Sequence, residues 1–209
     1  MERVRRTQAE RTAATRAALL TATVDTLVDK GYRHTTTTDV ARRAGVSPGA
    51  LLHHFPTKAD LLAAAVGHLF EQRLTEFRKA MADLPESAKR GDAALDVLWS
   101  MFSGPTFTAW LELWVAARTD PELRAAVTEV DRDFVGASEE VFREIFADET
   151  VANPNLPRYA VAIVFTFLTG MATSGLVPGA DVLPDQELLA VFKMLVNPAL
   201  PDGPEGTSS

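Results

Sequence analysis

The amino-acid sequence predicts an all-α protein, in which a small N-terminal domain is joined by a long helix to a larger helical domain. Apolar residues recur every three or four positions through most of the 209 residues, as they do on the buried face of an amphipathic helix. Proline, glycine and capping residues stand where these periodic stretches begin and end. No stretch alternates between apolar and polar residues, so no strand is predicted.

The chain is predicted to open with a flexible basic arm over residues 1–10, which is polar and has no apolar stretch typical of a secretory signal. A first helix then spans about residues 12–30, where Leu20, Val24 and Leu27 recur at helical spacing. A glycine follows directly, so the helix is expected to end there.

Residues 36–55 predict two short helices joined by a tight turn, the arrangement called helix-turn-helix. Thr36 is expected to cap the first helix, and the Asp39 side chain is expected to accept a hydrogen bond from the backbone N–H of Thr36, which completes a capping box. Gly45 is expected to end that helix with a positive φ, because only glycine adopts this conformation without a steric penalty.

The second short helix begins at a serine followed by a proline. Ser47 is the expected N-cap, and Pro48 takes the first helical position, where its missing N–H costs nothing. Phe55 and Pro56 stop the helix after about two turns. A helix this short buries little apolar surface on its own but fits the major groove of DNA. Its length therefore suits a helix that contacts DNA bases better than a helix of the apolar core.

Four longer helices are predicted next. The first begins at Lys58 and carries apolar residues along one face to about Ala82. Proline and glycine separate the following three, which are expected at about residues 92–102, 106–118 and 121–145.

Residues 159–177 contain no charged side chain. Their length would allow a membrane span, but hydroxyl residues and two glycines interrupt them. We therefore predict no membrane span, but a helix buried between the domain core and a partner subunit. A helix over about residues 185–197 is expected to complete that interface. Residues 198–209 are predicted to be a disordered tail because they are rich in proline and glycine.

The charge of the chain changes sign after the helix-turn-helix. Residues 1–58 carry ten lysines and arginines against five acids, a net of +5, and the remainder carries eleven against twenty-three, a net of −12. The overall charge of −7 hides this division. A basic N-terminal quarter on an acidic body indicates a nucleic-acid-binding module attached to a domain of different function.

Residues 11–71 resemble the DNA-binding domain of the TetR family of transcriptional regulators. The matching positions are Thr36, Asp39-Val40-Ala41, Ala44-Gly45-Val46-Ser47-Pro48-Gly49-Ala50-Leu51, His54-Phe55-Pro56-Thr57-Lys58 and Leu61-Leu62. The resemblance implies a ligand-binding and dimerisation domain over residues 72–197. It also implies a homodimer on a palindromic double-stranded DNA operator, regulated by a small apolar effector.

The resemblance and the residue types divide the expected DNA contacts into two sets. Those expected to face the base edges have short or polar side chains, and they are Ser47, Pro48, Gly49, Ala50 and His53. Those expected at phosphates are Thr37, Thr38, Arg42, Arg43, His54 and Lys58. His53 is the best candidate to hydrogen-bond a base, Lys58 begins a helix whose N–H groups also attract phosphate, and His54 has an alternative role inside the fold.

Two positions depart from the family pattern. Leu52 stands where the family usually has a tyrosine that bonds phosphate, and leucine cannot make this bond. Thr37 stands where an apolar residue is usual. The departures affect the expected strength of backbone contact and leave the predicted fold unchanged.

Enzymatic chemistry is not predicted. Residues 45–49 match the G-x-S-x-G nucleophile elbow, but a helix precedes the serine where an elbow needs a strand. Pro48 would also remove the N–H that completes an oxyanion hole. The adjacent histidines His53 and His54 point about 100° apart on a helix, and no third ligand has the usual spacing, so no metal site is predicted. The chain has no cysteine, and no cofactor is predicted.

Seven aromatic residues on the three helices after residue 90 are candidates for the wall of the implied effector pocket, since such pockets are mostly apolar. They are Trp99, Phe102, Phe107, Trp110, Trp114, Phe134 and Phe142. The prediction is a cytoplasmic, ligand-responsive DNA-binding regulator that represses transcription. The alternative is a helical protein that binds a small molecule or a partner, in which the helix-turn-helix is structural only.

Overall fold

The computed structural model describes residues 7–85, 88–176 and 183–196. Within these residues it contains only helices, which confirms the all-α prediction. In chain order the helices are α1 Gln8–His34, α2 Thr37–Ala44, α3 Pro48–His54, α4 Lys58–Ala82, α5 Arg90–Phe102, α6 Pro105–Ala116, α7 Pro121–Ile145, α8 Ala147–Ala152, α9 Leu156–Ser174 and α10 Asp185–Val196.

Helix α1 is longer at both ends than its apolar pattern predicts. Thr7 accepts a hydrogen bond from the N–H of Glu10, and the Glu10 carboxylate accepts one from the N–H of Thr7, so a reciprocal capping box starts the helix. The flexible arm predicted over residues 1–10 is therefore wrong for residues 7–10, and residues 1–6 lie outside the described residues.

Gly31 interrupts α1 where the sequence predicts its end, but one more helical turn follows. Its φ of 71° and ψ of 170° lie in a region that essentially only glycine adopts. The chain then runs to Thr35, whose buried hydroxyl donates to the Gly31 carbonyl at 2.8 Å.

The chain forms two compact units. The first combines Met1–Glu71 with Pro105–Phe134, and the second combines Gln72–Gly104 with Val135–Ser209. The chain passes from the first unit to the second after residue 71. Residues 105–134, which the sequence assigns to the second domain, belong instead to the first unit.

The first unit contains two buried apolar clusters. One packs α1 against the two short helices and α4, and its members are Leu19, Leu20, Ala22, Val40, Ala41, Leu51, Phe55, Leu61 and Ala65. The other brings α6 and the start of α7 onto α1 and α4, and its members are Leu27, Ala59, Leu62, Val66, Ala109, Leu113, Ala117, Leu123 and Val127. The helix-turn-helix and α6 are thus both anchored on α1 and α4.

The second unit has its own core. Phe77, Met81, Ala94, Val141 and Phe146 are buried together. Helices α9 and α10 both pack on α5, and their aromatic rings also meet: Phe167 stacks on Phe192 with 3.8 Å between the ring centroids.

Helix α9 has two apolar sides. Val161 and Leu168 are buried, whereas Tyr159 and Ile163 are exposed by 59% and 56%. The helix is long and apolar enough to cross a membrane, but a core helix of a soluble protein passes the same test. Helix α8 was not predicted, and the predicted tail over residues 198–209 lies outside the described residues.

Candidate nucleic-acid interface

Local hydrogen bonds fix α2, the turn and α3, which together we call the reading head. The Thr36 hydroxyl accepts from the N–H of Asp39 at 3.1 Å, and Gly45 ends α2 with a φ of 69°. The Ser47 hydroxyl then accepts from the N–H of Ala50 at 3.2 Å, and α3 ends at Phe55. These caps satisfy backbone donors that a short helix would otherwise leave unpaired.

Asp39 differs from the predicted capping box. Its carboxylate accepts a hydrogen bond from the Thr36 hydroxyl, not from the Thr36 N–H. It also pairs with Lys30 at 3.0 Å and with Arg42. The hydrogen bond from Lys30, with that from Thr36, lowers the pKa of Asp39. Asp39 therefore ties α2 to α1 besides supporting the cap.

Helix α3 buries one side and exposes the other. Leu51 lies in the apolar core with Phe55, which anchors the helix. The predicted base-facing residues Ser47, Pro48, Gly49 and His53 are exposed, and Ala50 is half-buried. Since these base-facing residues have short side chains apart from one imidazole, a DNA duplex can approach the α3 backbone closely there.

Both predicted arginines of α2 are exposed cations with acidic neighbours. Arg42 pairs with Asp39, and its side chain remains 74% exposed. Arg43 pairs with Asp29 at 2.7 Å and lies 3.7 Å from Asp25. Exposed pairs of this kind contribute only about 0–1 kcal/mol, so a phosphate can replace the carboxylates at small cost.

Lys58 is placed differently from the exposed cation that the sequence suggests. Its ammonium donates to the Tyr32 carbonyl at 3.3 Å and lies 4.7 Å from the centroid of the Tyr32 ring. Burial lowers the pKa of Lys58. Its phosphate contact stays a prediction, and that contact requires the ammonium to leave Tyr32.

The start of α4 is also less open to phosphate than expected. Thr57 and Asp60 form a reciprocal pair, in which the Thr57 hydroxyl accepts from the Asp60 N–H at 3.1 Å and the Asp60 carboxylate accepts from the Thr57 N–H at 3.2 Å. The carboxylate at the helix start opposes part of the attraction for an anion.

Three further side chains define the surface around α3. Leu52 is 54% exposed, so the position where the family has a tyrosine presents an apolar side chain. His54 is half-buried against Phe55, with 6.3 Å between the ring centroids. The guanidinium of exposed Arg16 lies 5.5 Å from the Phe55 ring, which adds a cation that the sequence analysis missed. The local sequence around Arg16 does not indicate that this side chain lies beside α3, and only the fold brings the two together.

A second group of polar contacts joins helices distant in sequence. We call Tyr32, Lys58, Glu112 and Asp120 the Tyr32 cluster. The N–H of Tyr32 donates to the Glu112 carboxylate at 2.7 Å, and its hydroxyl donates to Asp120 at 3.2 Å. Burial, followed by the bond to Asp120, raises the pKa of Tyr32. The cluster connects α1 and α4 to α6 and the start of α7.

The seven candidate pocket residues fall into both units. Phe107, Trp110, Trp114 and Phe134 lie in the first unit, and Trp99, Phe102 and Phe142 lie in the second. In the first, Phe107 and Trp114 lie beside Trp110, with ring centroids 5.4 Å and 6.1 Å away. In the second, Phe102 lies beside Phe165 and Phe142 beside Phe146. In the part of the chain described, no group of three or more acidic or histidine side chains could hold a metal ion.

The chain is similar to known proteins in sequence and in fold. Residues 19–65 match the family model described as bacterial regulatory proteins, tetR family. An HTH-type transcriptional regulator of Mycobacterium bovis is 34% identical over 183 residues, which cover 88% of this chain and 91% of the relative. The matched family consists of transcription regulators and not of enzymes.

Two solved structures have a similar fold. The multidrug binding protein EbrR, solved with imidazole, has a TM-score of 0.61 and 21% identity, over 92% of this chain and 98% of EbrR. The fatty acid degradation regulator FadR of Bacillus halodurans has a TM-score of 0.62 and 18% identity, over 89% of this chain and 94% of FadR.

Proposed function

The chain belongs to the tetR family of bacterial regulatory proteins and is a DNA-binding transcriptional regulator, and we propose that it is a cytoplasmic repressor. In this proposal a homodimer holds a palindromic operator until a small apolar effector releases it. The observation that carries the proposal is the exposed side of α3, which two caps and a buried Leu51 hold in place.

We assign the DNA contacts in two sets. The base edges face Ser47, Pro48, Gly49, Ala50 and His53, and His53 supplies the hydrogen bond that discriminates between bases. The phosphates lie near Thr37, Thr38, Arg42, Arg43, His54 and Lys58, with Arg16 added beside Phe55. Exposure of the α2 arginines supports the phosphate set.

The homodimer uses the exposed apolar sides of α9 and α10. Ile163 on α9 is 56% exposed, and Met194 and Leu195 on α10 are 67% and 73% exposed. Large apolar side chains at this exposure mark interaction surfaces when they are grouped. A dimer also gives a two-turn reading helix a second half-site, which multiplies its affinity for a palindrome.

The effector binds in the first unit, among the aromatic side chains of α6 and the start of α7, which include Phe107, Trp110 and Trp114. Apolar walls with few polar groups are typical of small-molecule sites, and EbrR, whose fold is similar, is described as a multidrug binding protein. The Tyr32 cluster provides a route to the reading head, because Glu112 of α6 holds the N–H of Tyr32. An effector that binds the form released from DNA about 100-fold more tightly than the DNA-bound form, a difference of roughly 2.7 kcal/mol, would switch the protein.

DNA binding is tested by selecting genomic fragments on the immobilised protein and sequencing them. We expect a palindromic site with half-sites about one helical turn or more apart. His53→Ala should alter the selected half-site and cost about 1–3 kcal/mol at one base pair. Thr128→Ala, an exposed change on α7, is the control. An identical selected sequence from His53→Ala would remove His53 from the base-reading set.

The dimer is tested by light scattering. The wild-type chain should give about twice the chain mass of 22.7 kDa, and Ile163→Asp should give the monomer mass because it places a charge in the proposed interface. Thr128→Asp, exposed on α7, controls for the added charge. A wild-type monomer at micromolar concentration would refute the homodimer.

Repression is tested with a reporter gene behind a selected fragment. Expression should fall when the wild-type protein is present and recover with a variant that lacks DNA binding. A rise in expression with the wild-type protein would identify an activator instead.

A further inference from the structure

The indole of Trp110 contains an unpaired buried donor. Its Nε1 atom is excluded from solvent and has no hydrogen-bond partner among the described residues. Buried side-chain donors are normally paired, and an unpaired one costs about 1–3 kcal/mol. The N–H of Trp110 therefore requires an acceptor that the described part of the fold does not supply.

Trp110 packs on the buried cluster that joins α6 and the start of α7 to α1 and α4, and three aromatic rings lie beside it. The centroid of its ring lies 5.4 Å from Phe107, 5.9 Å from Phe70 and 6.1 Å from Trp114. The faces of such rings attract an N–H only weakly. These rings carry no charge, so they offer no ionic partner to an anion that loses its hydration beside them.

These rings form a continuous row inside the first unit. Trp114 at one end is 52% exposed, Trp110 follows, and Phe70 stacks on Phe134 at the other end with 4.0 Å between their centroids. A row of half-buried rings that is open to solvent at Trp114, with one unpaired donor along it, has the composition of a site for an aromatic molecule.

We propose that Trp110 Nε1–H donates a hydrogen bond to the effector, and that the effector is a neutral aromatic molecule carrying an acceptor such as a carbonyl, an ether or a ring nitrogen. This inference rests on the proposed function, in which the aromatic residues bind the effector, and it adds the chemical class of that molecule. The rings of the row bind the aromatic body, and Trp110 selects for the acceptor.

The test uses quinoline and naphthalene, which share size and shape but differ in one ring nitrogen. Uniform ¹⁵N labelling shows the indole N–H groups of the three tryptophans, and Trp110→Phe removes the signal of Trp110 and so assigns it. Saturation with quinoline should move this signal downfield, as a new hydrogen bond does. Naphthalene should leave it without a downfield shift. Trp99→Phe and Trp114→Phe give the same assignment by elimination if Trp110→Phe does not fold.

Affinities provide the second measurement. The ratio of the Kd for quinoline to that for naphthalene should rise about tenfold in Trp110→Phe. The different solvation of the two probes contributes equally to both ratios, so it cancels when the ratio of the variant is compared with that of the wild type. Thr128→Ala, exposed on α7 and outside the row, keeps the Trp110 donor and should leave the ratio at its wild-type value.

Three results would overturn the inference: binding of neither probe, a Trp110 signal that quinoline does not move, or an equal ratio in the wild type and Trp110→Phe. DNA retention measured on the same preparations separates the two proposals. Loss of DNA binding by the wild type would defeat the proposed function, whereas intact DNA binding with an unchanged ratio defeats only the assignment to Trp110.

Discussion

The reading head and the Tyr32 cluster lie in the same unit but are built from opposite kinds of contact. In the reading head, each cap joins residues three positions apart, Thr36 to Asp39 and Ser47 to Ala50. In the cluster, Tyr32 bonds residues 80 and 88 positions away, on α6 and before α7.

This difference gives the two groups of contacts separate roles. The caps define the shape of the reading head, and the contacts of the Tyr32 cluster depend on the position of α6. Local caps fix where α2 and α3 begin and end, and buried side chains such as Val40 and Leu51 anchor both helices in the core. The cluster exists only when α6 sits against α1, so a displacement of α6 would break it first. The reading head therefore supplies the recognition surface, and the cluster is the candidate for its control.

The largest expected effect compares two glycines with positive φ. A Cβ at Gly31 would lie 2.7 Å from a carboxylate oxygen of Glu112, whereas a Cβ at Gly45 would meet nothing within 4 Å. We expect Gly31→Ala to lower the free energy of unfolding by about 3 kcal/mol and Gly45→Ala by about 1 kcal/mol. Urea unfolding at one protein concentration measures both.

Glu112→Ala, alone and combined with Gly31→Ala, is the control, because it removes the clash together with the hydrogen bond to Tyr32. If Gly31→Ala costs the same with and without Glu112, then Glu112 moves aside freely. The close contact of the Tyr32 cluster would then not constrain the chain.

A smaller effect is expected from Leu52→Tyr. The exposed leucine makes no hydrogen bond, and a phenol there can donate one to phosphate. We expect operator affinity to increase by roughly fivefold, worth about 1 kcal/mol, in a fluorescence anisotropy titration. Leu52→Phe adds the ring without the hydroxyl and should not reproduce the gain. Equal gains from both variants would assign the effect to ring packing.

The salt dependence of operator binding compares a cation of the reading head with one of the cluster. Arg42→Ala should lower the slope of log K against log salt by about one, because one phosphate loses its cation. Lys58→Ala should lower it by less, since its ammonium is bound to Tyr32. Equal reductions would show that Lys58 leaves Tyr32 when DNA binds.

The smallest effect concerns Asp39 and pH. Its pKa is lowered in the folded protein, chiefly by Lys30, so its stabilising contribution is present above the unfolded pKa of about 4 and is lost as pH falls through the folded value. We expect Asp39→Asn to reduce the difference between urea midpoints at pH 7 and pH 3. Asp133→Asn, an exposed carboxylate on α7, is the comparison, and the same reduction in both would contradict a special role for Asp39.

The sequence was most informative where the determinants are local. Thr36, Gly45, Ser47 and Phe55 were predicted in their observed roles, because a cap or a positive φ depends on a few neighbouring residues. The contacts that the predicted cations make could not be predicted from local sequence. Asp29 lies fourteen residues before its partner Arg43, and no local pattern indicates that the two meet.

The candidate pocket shows the same limit. Helical periodicity identified the aromatic positions on α5, α6 and α7. It could not predict which of the two units each residue joins, or that the indole N–H of Trp110 has no partner among the described residues. The sequence did not identify Tyr32 as a residue that joins distant helices, since a single tyrosine after a glycine has no distinctive spacing.

The sequence by itself determined that the chain is helical and has a capped reading head, because helix periodicity, caps and glycine turns are properties of short segments. Its resemblance to the TetR family added the function of a regulator. Only the tertiary structure decided which cations are engaged within the protein, that residues 105–134 join the N-terminal unit, and that Tyr32 and Trp110 hold special positions. Those facts depend on side chains separated by tens of residues, which meet only when the apolar faces of α1, α4, α6 and α7 are buried together.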